Sequence, residues 1–157
     1  MVSPWIIAEY DFDILVCRHA DYDPDNQELT PDGEQQMDIL ADSVAYLLRE
    51  RRALMAHSPA IRVRNSKKRL ITRLGEWIES EKVNCLFTPG QPDIPAILTY
   101  IDTKKAKLLE ILALMTHAEV AMPLIGHLAS NWKAHPIAKG QAIYIPKGGW
   151  NPVIYPQ

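Results

Sequence analysis

The chain has little of several things that would settle its class. It holds two cysteines in 157 residues, a net charge of only −2, and no apolar run near the ~20 residues of a membrane span. Cys17 and Cys85 form neither a CxxC pair nor a zinc pattern, and a lone pair is no disulfide scaffold, so free thiols in a reducing cytosol are expected. Neither heads a cysteine-phosphatase loop, because Asp23 and Gln91 stand where that loop needs its arginine. The balanced charge gives no reason for a nucleic-acid or membrane partner, and any positive site must be local. The start, MVSPWIIAEYDFD, lacks the basic region and long apolar centre of a secretion signal, which makes a cytoplasmic location the expectation. No strand runs into a glycine-rich phosphate loop, since KGG falls late, inside a hairpin. Repeats, low-complexity tracts and linkers are lacking too, and one domain over residues 1–157 fits this length.

What is present is an alternation of apolar runs and helical patterns, the mark of an α/β domain. DILVC (13–17) reads as a buried central strand delivering Arg18 and His19. From Thr30, TPDGEQQMDILADSVAYLLRERR opens with a cap and a proline and sets Met37, Leu40, Val44, Leu47 and Leu48 on one helical face. AIRVR (60–64) reads as a short strand, and SKKRLITRLGEWIES as a helix capped by Asn65 or Ser66. VNCLF (83–87) follows as a strand, then a proline-rich loop leading to a short helix near Ala96. KKAKLLEILALMTH reads as a helix, VAMPLIG (120–126) as a strand stopping at His127, and LASNWKAH as one or two helical turns. GQAIYIP and WNPVIY close the chain as a hairpin.

Ligands of an open parallel sheet sit beyond the carboxyl ends of its strands. On this reading Arg18, His19, Arg69 and His127 share that end. Two guanidinium forks grip a tetrahedral phosphoryl group, and imidazoles serve as nucleophile or donor.

VCRHA, followed by LTPDGEQQ, resembles the opening of the histidine phosphatase (phosphoglycerate mutase-like) superfamily: a strand into Arg-His-Gly, then Leu-Thr-Pro-x-Gly-x-x-Gln. Leu29, Thr30, Pro31, Gly33 and Gln36 match, and Ala20 replaces the glycine. The family's Ser-Ser-Pro-x-x-Arg-Ala-x-Gln-Thr element is similar to VRNSKKRLITR, with Arg69 on its arginine, and its Gly-His to MPLIGHLAS, with His127 on the second histidine. Length, spacing and FTPG (87–90) resemble most the small, cap-less SixA-type phosphohistidine phosphatases. The likeness runs from residue 13 to 155 and leaves 1–12 as an added edge element.

The resemblance implies a three-layer α/β/α sandwich around a mainly parallel sheet, and a phosphatase acting on a phosphomonoester or phosphoramidate. His19 would be the nucleophile; Arg18, Arg69 and Asn26 would bind substrate, and His127 would assist. No metal or organic cofactor is implied, and the partner would be a phosphorylated small molecule or a phosphohistidine-bearing protein. Cations beside His19 should lower its pKa and keep it neutral for attack. The family's usual general acid has no counterpart: Asn84 or Cys85, and Leu128, fill the corresponding places, leaving Asp21, Asp23 and Asp93 as substitutes. A non-catalytic phosphate-binding module is the rival reading, because fold transfers more safely than activity. A phosphomutase ranks lower, since it needs insertions for which the chain is too short.

Overall fold

A computed structural model describes residues 10–75, 77–87, 90–132, 135–148 and 151–156. Two apolar runs build its centre. Asp13–Arg18 forms β1 and Ile111–Thr116 forms β4, buried along nearly their whole length, as strands covered on both faces must be. They pair in parallel, Asp13 opposite Ile111 through to Arg18 opposite Thr116. β2 (Ala53–His57) pairs in parallel with β4, and β3 (Glu79–Lys82) lies parallel to β2 at the edge. Beyond β1, β5 (Ala142–Ile145) and β6 (Val153–Tyr155) form the expected antiparallel hairpin. The sheet order is β3-β2-β4-β1-β5-β6.

Side chains alternate across a strand, and here the two faces bury different helices. Leu15, Cys17, Met55 and Met115 pack with Met37, Leu40 and Val44 of α1 (Pro31–Leu48) and Val63 and Leu70 of α2 (Ile61–Leu74). Ile14, Val16, Leu112 and Leu114 pack with Ile97 and Ile101 of α3 (Ile94–Thr103) and Val120 and Leu124 of α4 (Ala118–Leu128). The result is the three-layer α/β/α sandwich. No helix is long and apolar enough to cross a membrane, among the described residues.

Several element boundaries differ from the sequence reading, mostly for one reason. A short, wholly apolar run has no period of its own to separate strand from helix. ALMAH (53–57), which the sequence reading leaves unassigned, is β2; ILALMT, inside a presumed helix, is β4. Conversely, AIRVR is the start of α2 and VAMPLIG lies within α4, which accepts Pro123 in its interior. The third strand lies at Glu79–Lys82, with Asn84–Leu86 a 3-10 turn. Of the edge element proposed for residues 1–12, only the end is described: Tyr10 and Phe12 stack at 5.6 Å, and residues 1–9 lie outside the described residues.

Candidate active site

The loop leaving β1 is shaped by the LTPDGEQQ segment. Thr30 caps α1, accepting from Gly33 N at 3.0 Å and donating to the Asp21 carboxylate at 2.8 Å. Pro31 takes the first helical turn, where no N–H is needed. Gly33 passes so close that a Cβ there would sit 2.0 Å from Asp21 O. Gln36 accepts from Asp21 N at 2.9 Å, and Ser66 of α2 accepts from Ala20 N at 2.9 Å. Gly140 N donates to His19 O at 3.2 Å. His19 is therefore held on both sides, and is only 5% exposed.

Its Nδ1 lies 2.9 Å from Ala20 O. A carbonyl only accepts, so Nδ1 carries the proton and Nε2 keeps a free lone pair. Burial, together with the nearby charges of Arg62, Arg18 and Lys139, pushes the His19 pKa down to about 4, against a smaller upward pull from the Ala20 carbonyl. His19 is thus neutral at pH 7, though burial does more than the cations.

The second imidazole is His117, the first residue after β4, 1% exposed, with its ring centroid 5.4 Å from that of His19 at 69°. Arg62, in the first turn of α2, donates from Nη2 to His117 Nδ1 at 3.1 Å. That leaves the proton on Nε2, which donates to Ser58 Oγ at 2.9 Å. Burial first, then the charge of Arg62, lowers the His117 pKa to about 4. Gln27 accepts from the backbone N and Nη1 of Arg62, both at 3.2 Å. Tyr22 and Phe87 lie 5.3 and 5.8 Å from the guanidinium carbon, within cation–π range.

Arg18 reaches the same end of the sheet, donating from Nη1 to Ile137 O at 2.9 Å. The Nε atoms of Arg18 and Arg62 are buried without a hydrogen-bond partner among the described residues. Such atoms are costly to leave unpaired and call for an acceptor. The N-termini of α2 and α4 open at the same strand ends, where helix dipoles favour an anion. Two neutral imidazoles, two guanidiniums and two helix ends suit a tetrahedral oxyanion.

The structure brings together Arg18 and His19 as expected, but neither Arg69 nor His127. Arg69 lies further along α2 and is engaged by α1: Nε and Nη2 fork onto Asp38 at 2.9 and 2.8 Å, and Nη1 meets Glu34 at 3.3 Å. His127 is exposed in the last turn of α4, because the segment read as a strand ending there is helical. Asn26 is exposed as well, its side-chain oxygen accepting from Glu28 N at 2.9 Å within the turn. Arg62 and His117 occupy the positions foreseen for Arg69 and His127. The signal was available: Ser58, Pro59 and Arg62 in HSPAIR match Ser-Pro-x-x-Arg more fully than the segment first matched, and LMTH ends an apolar run in histidine.

Re-anchoring moves the acid's place as well. The residue after the second histidine is Ala118, not Leu128. Asp21 is bound to Thr30 and to Lys139 at 3.0 Å, Asp23 accepts from Asp25 N, and Asp93 caps α3. No carboxylate is hydrogen-bonded or ion-paired to Arg18, His19, Arg62 or His117 among the described residues.

No family model matches the sequence, and no curated protein matches it. Solved structures do. The protein histidine phosphatase SixA bound to tungstate aligns with a TM-score of 0.75 at 16% identity, over 91% of this chain and 94% of that one. A SixA-assigned protein from Agrobacterium tumefaciens gives 0.72 at 14% identity, over 95% and 100%. The mycobacterial glucosyl-3-phosphoglycerate phosphatase bound to vanadate gives 0.62 at 14%, over 85% and 92%. The fold is that of the histidine phosphatases. Within that fold the chain spans 94% and 100% of the two SixA structures named first.

Proposed function

We propose that the protein is a phosphatase that passes a phosphoryl group from a phosphomonoester or phosphoramidate to His19 and then to water. One observation carries this reading: a buried, neutral histidine with its proton on Nδ1, beside two guanidiniums whose buried Nε atoms have no hydrogen-bond partner among the described residues. In the first step Nε2 bonds to phosphorus as the bond to the leaving group breaks, the electron pair going to that group. The phosphorylated ring is then cationic, and its Nδ1–H continues to donate to Ala20 O. In the second step water adds to phosphorus, the N–P bond breaks, and inorganic phosphate leaves with both water protons while Nε2 regains its lone pair. Arg18 and Arg62 hold the equatorial oxygens, where charge-assisted forks act most strongly. His117, its proton on Nε2, is placed to re-aim that donor from Ser58 to a phosphoryl oxygen.

Among the described residues no carboxylate is hydrogen-bonded or ion-paired to the two imidazoles or the two guanidiniums, which favours substrates whose leaving group needs no acid. A phosphohistidine ring protonated at its other nitrogen leaves as neutral imidazole. The same feature would suit a phosphate-binding module without turnover. Trapping separates the two. Wild-type protein quenched during turnover of phosphoramidate should carry acid-labile phosphate, and His19→Ala should carry none and lose activity by several orders of magnitude. Activity above about a tenth of wild type in the variant would overturn the nucleophile.

A further inference from the structure

α2 carries Arg62, Arg64, Lys67, Lys68, Arg69 and Arg73 and no carboxylate in its 14 residues. Half of these charges have a use within the fold. Arg62 faces His117, Arg69 is held by Asp38 and Glu34, and Arg73 forks onto Asp42 at 3.0 Å. Arg64, Lys67 and Lys68 do not. Neither they nor Lys82, at the end of edge strand β3, has a carboxylate within 4 Å among the described residues. The four are gathered, not scattered. Arg64, Lys67 and Lys68 line one groove, and Lys82 is paired across the sheet with His57; burial first, then Lys67, Arg64 and Lys82, lowers the pKa of that histidine. Cations three and four positions apart on a helix repel one another, and this concentration occurs in a chain whose net charge is −2. It adjoins the pocket, since His57 precedes Ser58, the partner of His117. Exposed Ile61, 51% accessible, is the first residue of α2, next to Arg62.

We propose that Ile61, Arg64, Lys67, Lys68 and Lys82 form a docking surface for an acidic protein that presents its phosphorylated side chain to the adjacent pocket. This rests on the phosphatase reading and names its substrate class. Charge complementarity selects an acidic occupant. The shallow groove here is lined by Ile61, Arg64, Asn65, Lys67 and Lys68, all of α2, so it has no opposing wall to enclose a small ligand. A nucleic acid fits less well, because the groove is lined by no aromatic side chain on which bases could stack. An apolar residue beside polar and charged ones is what a protein rim contacts.

The test compares wild type with Arg64→Glu/Lys67→Glu/Lys68→Glu on three probes. They are a phosphohistidine peptide flanked by glutamates, the same peptide flanked by lysines, and p-nitrophenyl phosphate. Expected is a fall of at least about tenfold in kcat/KM for the acidic peptide alone, with added salt giving the same selective loss in wild type. An unchanged acidic peptide overturns the surface, and so does an equal loss on p-nitrophenyl phosphate, which would show a field acting on the pocket itself. Lys68→Ala and Arg64→Ala, checked for an unchanged melting curve, give the answer if the triple variant does not fold. Fluorescence anisotropy with a phosphoserine peptide flanked by glutamates separates this from the phosphatase reading. Binding lost on charge reversal keeps the surface even without turnover, whereas no binding, or tighter binding of a single-stranded oligonucleotide, overturns it.

Discussion

Arg62 donates a hydrogen bond to Nδ1 of His117 at 3.1 Å, and thereby decides which nitrogen of that ring can donate to a ligand. The guanidinium is both a phosphate grip and the device that orients the second imidazole.

Arg62→Ala should therefore cost about 3–4 kcal/mol of transition-state stabilisation, the scale of a lost oxyanion donor. Arg62→Lys should recover little, because an ammonium lacks the fork. Arg69→Ala should leave kcat/KM near wild type, since its charge is spent on Asp38 and Glu34. Steady-state kinetics on the two alanine variants checks the assignment; an equal loss in both would return Arg69 to the site.

Both imidazoles have pKa values lowered to about 4 by burial and neighbouring cations. Each group is neutral in the folded state and binds a proton more readily unfolded. Their contribution to stability is thus full above the unfolded value near 6.5 and is lost as pH falls from there toward about 4, at up to ~1.4 kcal/mol per pH unit per histidine. Urea midpoints should fall across that window. Ring NMR signals of His19 and His117 in the free protein should show no titration near 6.5; a transition there would mean the rings are charged at the start of reaction.

Asp21 is bound to Lys139 and Thr30, Ala118 follows His117, and among the described residues no carboxylate is hydrogen-bonded to either imidazole, so an alkoxide leaving group is poorly served. Phosphoramidate and phosphohistidine should show kcat/KM values at least about a hundredfold above alkyl phosphates, the lower range of general-acid contributions. Comparable values, with a loss on Asp23→Asn specific to alkyl esters, would reveal an acid that reaches the pocket.

Gly33→Ala places a methyl group 2.0 Å from Asp21 O, a backbone atom with nowhere to yield. Overpacking of about 1–3 kcal/mol is expected, against a helix-propensity gain below ~1 kcal/mol. The loop should shift with it and turnover should fall alongside the melting temperature. A variant as stable and as active as wild type would remove the glycine's role in shaping the loop.

Much of this was legible where local chemistry is strong. The cap, proline and glycine of LTPDGEQQ specify a helix start, and β1 is bounded by its polar flanks, so Arg18 and His19 were found directly. The other half of the site was displaced by element assignment. ILALMT is apolar at five of its six positions and carries no strand period, so with the following His117 it reads as the tail of a helix, and the strand end falls on His127, ten residues later. AIRVR reads as a short strand but opens α2, and this shifts the arginine at the site from Arg69 to Arg62, seven positions. Site residues at strand ends are only as well placed as the strands.

The pairing of Arg18 with Thr116 has a further effect. His19 and His117 are the next residue on each of two adjoining strands, so their separation is a multiple of nothing but the repeat between neighbouring strands, about 4.8 Å. Loops of any length or composition can be grafted onto the far parts of the chain without altering that ruler. Sequence drift elsewhere can thus run far while the gap between the two strand ends stays pinned by backbone hydrogen bonds, His19 N to Thr116 O among them, that no side-chain replacement can edit.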